Sequence, residues 1–111
     1  MVVDEQQRVN RLFHALADAT RRDIVVRALE AEHSVSDLAR RYPMSFAAVQ
    51  KHVAVLERVG LVTKRPRGRE QLVRGDVGAV RDARGVLDHL EAVWRDRIDR
   101  MGEILAEGGT R

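Results

Sequence analysis

The chain of 111 residues reads as a mainly α (α+β) fold, five helices with a two-stranded β-hairpin between the fourth helix and the fifth. Three observations predict it. Apolar residues recur at intervals of three and four through four segments, as one buried helix face requires. Two short runs of alternating hydrophobicity, "LVTK" and "QLVR", flank the tip "RPRGRE", as the arms of a hairpin do. Capping residues precede several of the periodic segments, and Gly or Pro follows them.

Taken in order, Val9, Leu12, Phe13 and Leu16 fall at i, i+3, i+4 and i+7 and predict a first helix over about 4–16. The second lies in "ADATRRDIVVRALEAE", with Asp18 or Thr20 as N-cap, Ile24, Val25, Ala28 and Leu29 as its buried stripe, and an end near Glu32. Ser34 opens the third helix three residues before Asp37, the capping-box spacing that satisfies two orphan N–H groups. Pro43 keeps that helix short, because it disfavours helical geometry at Tyr42. Ser45 caps the fourth, "SFAAVQKHVAVLERVG", in which Val49, His52, Val53 and Leu56 share a stripe and Gly60 marks the stop. The hairpin turns at Gly68. A closing helix over about 77–106 carries Leu87, Leu90, Trp94, Ile98, Met101 and Leu105 on one stripe, while Gly78 and Gly85 weaken its early turns.

Short helix, tight turn and longer helix make a helix-turn-helix, and the basic hairpin that follows makes it a winged one. The expectation is a single winged helix-turn-helix domain over residues 1–111. In such a unit the second helix enters the major groove, about 12 Å wide, with its N-terminal residues against base edges. The fourth helix suits that task. Ala47 and Ala48 keep its leading end slim, Gln50 and Lys51 offer a base-edge hydrogen bonder and a cation, and no acid appears before Glu57. Its N-terminal partial charge favours phosphate as well.

Charge is distributed to match. Residues 38–75 hold nine cations against Glu57 and Glu70 alone, whereas acids outnumber cations by two in each flanking segment. A basic block on otherwise acidic scaffolding is the footprint of a polyanion-binding surface. Four of those cations sit in "KRPRGR", a tip with no core to build, from which Arg67 or Arg69 can reach the narrower minor groove.

Other classes find little support. No apolar run approaches the roughly 18 residues of a spanning helix, and "MVVDEQQRVNRLF" is charged too early for a secretory signal, so a cytoplasmic protein with no membrane association is expected. With no Cys, disulfides and thiol catalysis are excluded. No Gly-rich phosphate loop and no nucleophile at recognisable spacing to a His appear, so no enzymatic activity and no cofactor are expected.

At "LADATRRDIVVRAL", "SVSDLARRYPMSFAAVQKHVAVLERVGLVTK" and "RGREQLV" the chain resembles the ArsR family of dimeric winged-helix bacterial transcriptional repressors. The resemblance runs from about Leu16 to Val73. It implies that Ser45 to His52 form the reading end of the recognition helix, that the wing flanks it, and that the first and last helices make the dimer. Many members sense metals, and the resemblance allows their ligand positions to be checked. Where a Cys-Val-Cys-Asp-Leu stretch would supply thiolates, this chain has "SVSDL", with Ser34 and Ser36 in place of both sulfurs. In the last-helix site, counted from His89, Leu87 replaces an Asp, Arg100 replaces a His and only Glu103 fits. No metal is expected at either place.

The function expected is a homodimeric, sequence-specific repressor of transcription on a pseudo-palindromic operator of double-stranded DNA. Gln50 and Lys51 carry base readout; Ser45, Thr20, Arg21, Arg65, Arg67 and Arg69 grip phosphate, and Phe46 and Ala47 complete the reading end. His52 is either packed or a phosphate contact. Val9, Leu12 and Phe13 join the stripe of the last helix in the dimer interface, since that stripe exceeds what so small a domain covers. A small organic effector seated at the dimer surface, and a constitutive repressor, remain open alternatives. So does a winged helix used to meet an acidic protein partner.

Overall fold

The computed structural model describes residues 2–109. The elements run α1 (Val2–Leu16), α2 (Ala19–Glu30), β1 (His33–Ser34), α3 (Val35–Ala39), α4 (Phe46–Arg58), β2 (Val62–Arg67), β3 (Glu70–Gly75) and α5 (Val77–Gly109). Five helices and the hairpin therefore stand where the periodicity, caps and turn residues put them. The chain divides after Arg81 into two units, the first holding α1 to β3 with the start of α5, the second the rest of α5.

Local chemistry explains the starts and stops. Asp18 is the N-cap of α2, its carboxylate accepting from the Arg21 N–H at 2.9 Å; that bond holds the Asp18 carboxyl below the ordinary carboxylate range. Ser34 caps α3 by accepting from the Asp37 N–H at 3.0 Å, while the Asp37 carboxylate turns to Arg40 at 3.0 Å. Ser45 caps α4 by accepting from the Ala48 N–H at 3.1 Å. Gly60 and Gly68 have φ of 81° and 59°, left-handed values that end α4 and turn the hairpin.

Three boundaries and one strand differ from the sequence expectation, the last helix running to Gly109 and not to about 106. The first helix begins two residues early, at Val2, and the second ends at Glu30 because Ala31 is already extended. Residues 33–34 form a third strand, so that the sheet has the order β1-β3-β2, all antiparallel, and the wing is anchored to the helical body. His33 lies opposite Val73 and Ser34 opposite Leu72. A strand of two residues carries no period, which is why alternation did not reveal it.

The core of the first unit gathers Ile24 and Ala28 of α2, Leu38 of α3, Val49, Val53 and Leu56 of α4, Leu61 just before β2, and Val62, Leu72 and Val73 of the sheet. Leu12 and Ala15 of α1 are buried with them. Each large aliphatic side chain fully buried here contributes roughly 1.5–3 kcal/mol. That packing fixes α4 by its inner face and leaves the opposite face free.

Candidate nucleic-acid interface

Three fully buried residues, Val49, Val53 and Leu56, define the inner face of α4. Helical spacing then places Ala47, Lys51 and Ala54 on the outward side, with Phe46 and Gln50, four residues apart, along one shoulder and His52 on the other. Ser45, Phe46, Ala47, Gln50 and Lys51 are all exposed. No acid stands in the first turn of α4. The leading end thus presents small side chains, an amide, an ammonium and a half-exposed phenyl ring, with nothing that repels phosphate.

The wing continues this surface. Arg67 ends β2 opposite Glu70, and Arg69 lies in the turn beside Gly68; both are exposed. The side chains of Arg41, Lys51, Arg58, Arg67, Arg69 and Arg74 make no hydrogen bond or ion pair among the described residues. The remaining cations of the basic block have partners. Lys64 meets Glu57 of α4 at 3.4 Å, and Arg40 meets Asp37. Arg65 forms a two-point bond with Glu32, at 3.0 and 2.8 Å, which lowers the Glu32 pKa and raises that of Arg65. This arginine ties the wing to the loop after α2.

Arg21 also faces inward. Its Nε donates to the Ala15 carbonyl at 2.8 Å and its Nη2 to the His14 carbonyl at 3.0 Å, closing the C-terminal end of α1. Its Nη1 lies 3.4 Å from His52 Nδ1, and that ring nitrogen is 4.0 Å from the Asp18 carboxylate. His52, with its side chain 22% exposed, is therefore packed into a polar joint between α2 and α4. Arg22 adds a bond to the Leu16 carbonyl at 2.7 Å. Thr20 is half-buried in the first turn of α2.

The residues expected at a dimer interface divide by unit. In the first, Val9 and Phe13 are half-buried, whereas Leu12 is only 1% exposed and has no surface left to offer a partner. In the second, Leu87, Leu90, Trp94, Ile98, Met101 and Leu105 are all exposed, from 47% at Ile98 to 73% at Leu105. Val93 and Ile104 extend the same apolar surface. Their places, three residues after Leu90 and Met101, were signal enough to include them. Among the described residues no three His, Cys, Asp or Glu side chains gather as a metal site, and no helix is long and apolar enough to cross a membrane.

Comparison with known proteins agrees with this geometry. The family model described as "Helix-turn-helix domain" matches residues 16–65, the stretch from the end of α1 through α4 into the wing. The chain is 39% identical over 100 residues to the HTH-type transcriptional regulator Rv2034 of Mycobacterium tuberculosis, spanning 90% of this chain and 91% of that one. An ArsR-like transcriptional regulator from Rhodococcus sp. RHA1 has a similar structure, with a TM-score of 0.78 and 31% identity over 91% of this chain and 95% of that one. The solution structure of a homodimeric winged helix-turn-helix DNA-binding domain from Mycobacterium bovis, a possible ArsR-family regulator, shares the fold at a TM-score of 0.63 and 23% identity, over 85% of this chain and 84% of that one.

Proposed function

This chain belongs to the ArsR family of winged helix-turn-helix transcriptional regulators, which are not enzymes, and from that premise we propose that it is a homodimeric, cytoplasmic repressor of a pseudo-palindromic operator. The observation that carries the proposal is the outward face of α4. A helix clamped to the core by Val49, Val53 and Leu56 holds Gln50 and Lys51 outward behind an acid-free first turn. Gln50 suits the adjacent donor and acceptor of adenine, Lys51 the acceptors of guanine. Ser45, Thr20, Arg67 and Arg69 grip phosphate around them, which gives affinity but little sequence information. Arg21 and His52 support the surface from behind, and Arg65 ties the wing to the loop after α2.

The dimer rests on the second unit. Eight large apolar side chains of α5 are about half exposed or more. In a two-fold pair both copies contribute, and covering that surface gains on the order of 15 kcal/mol before association costs. Those costs are roughly 4–15 kcal/mol or more, of the same order, so covering the stripe offsets much of what pairing two copies requires. The homodimeric relative with the same fold supports this reading. Val9 and Phe13 supply the contribution of α1. A two-fold protein then reads a two-fold site, and a dimer seated across a promoter represses by occupying it.

The test is binding to the DNA upstream of its own coding sequence, against a random duplex, with salt titrated. Lys51→Ala and Gln50→Ala should erase the preference between the two, while Arg67→Ala should weaken both alike. Absence of binding at low salt would instead favour an acidic protein as the partner of the basic surface.

A further inference from the structure

We infer that Phe46 is a specificity-determining residue that reads the 5-methyl group of a pyrimidine in the major groove; the inference rests on the DNA-binding reading above. Phe46 is 47% exposed at the first position of α4 and is the sole aromatic side chain exposed in the first unit among the described residues. A phenyl ring 47% exposed forgoes part of the stabilisation of burial, which an apolar group on a partner surface would restore. Capping does not require it. The pair of residues that can staple a helix start around the Ser45 cap are Met44 and Val49, on either side of Phe46.

Its neighbours say what the partner is. Ala47 and Ala48 follow the ring with small side chains, while Gln50, one turn further, lies on the same shoulder of the helix. In the major groove the apolar feature on a base pair is the 5-methyl group of thymine, and phenylalanine is among the side chains that contact it. With Gln50 against adenine, Phe46 meets a methyl group on the same or an adjacent base pair. Two sources supply that group, thymine and 5-methylcytosine. Both present it at the same carbon.

The experiment starts from operators selected by the full-length protein from a randomised duplex pool. Each thymine of the selected site is then replaced singly by uracil, which removes the methyl group and keeps every hydrogen-bonding atom. One position per half-site, within a base pair of that at which Gln50→Ala relaxes preference, should lose roughly fourfold in affinity, the worth of one buried methyl group. Cytosine and 5-methylcytosine at that position give the second pair of arms and should differ by the same factor. Phe46→Ala should abolish both differences, and Phe46→Leu should keep part of them; Arg67→Ala, weaker on every duplex, should keep them in full. If a site is selected but no uracil replacement changes affinity, or the loss persists in Phe46→Ala, the assignment to Phe46 is wrong while the regulator reading stands. If no sequence is enriched at all, both fail together.

Discussion

Arg21 on α2 reaches His52 on α4, its Nη1 lying 3.4 Å from the ring Nδ1 across thirty-one residues of sequence. The same guanidinium closes α1 through the carbonyls of Ala15 and His14, and its backbone N–H binds the Asp18 cap. Three helices thus meet on one side chain. The recognition helix is positioned by a cation that a reading of charge alone assigns to phosphate.

Replacing it should therefore cost stability before affinity. Arg21→Ala is expected to lower unfolding stability by about 1–3 kcal/mol, since two carbonyls and a half-buried His lose a charged donor. Arg21→Lys should recover only part, because one ammonium cannot span three acceptors held by a planar fork. Denaturant unfolding at fixed protein concentration measures both. Unchanged stability with weakened DNA binding would return Arg21 to the phosphate contacts.

Glu32 restrains a cation that could serve DNA. Glu32→Gln removes the two-point bond to Arg65 and should strengthen binding to any duplex at low salt, with the advantage fading as salt rises. Arg65→Ala should correspondingly cost less affinity than Arg67→Ala or Arg69→Ala. Anisotropy titrations of the four variants across a salt series decide it. Equal losses for the three arginines would mean that Arg65 leaves Glu32 on binding.

Tyr42, in the turn between α3 and α4, joins that turn to α2 by donating its hydroxyl to Asp23 at 2.6 Å. Burial first, and then this bond, push the phenol up to about 12, while the same bond and Arg27 hold Asp23 below the ordinary carboxylate range. The signs are opposite. The raised phenol contributes stability that is present below about pH 10 and lost as pH climbs towards 12; the depressed carboxyl contributes stability present above about pH 4 and lost as pH falls through its lowered value. Tyr42 is the one tyrosine in the chain, so ultraviolet titration of the phenolate reports it alone. It should titrate near 12 when folded and about 10 in denaturant.

Trp94 is likewise the one tryptophan, and it is 55% exposed on the second unit. Pairing of two copies through the α5 stripe should bury it. Emission should be blue-shifted at high protein concentration and move to the red on dilution through the dissociation constant, whereas Trp94→Ala should yield monomers by sedimentation. Emission independent of concentration, with monomers throughout, would exclude this stripe as the interface.

Much of this was legible in the sequence because it is local. Asp18, Ser34 and Ser45 cap helices within three residues of themselves, and Gly60 and Gly68 take left-handed values that their own lack of a side chain permits. What stayed hidden is what depends on distant partners. Glu32 and Arg65 are thirty-three residues apart and Arg21 and His52 thirty-one, so a charge count credits those arginines to a ligand. Leu12 shows the same limit in apolar form. Its spacing marks it as buried but does not distinguish its own core from a partner's, and the fold places it in the former.

Hydroxyl-radical footprinting of the selected operator tests the central claim most directly. Two equivalent protected patches related by a two-fold axis, with half-site centres about 10–10.5 base pairs apart or a multiple of that spacing, are the predicted result. Protection of a single half-site, or of two that share no symmetry, would contradict it.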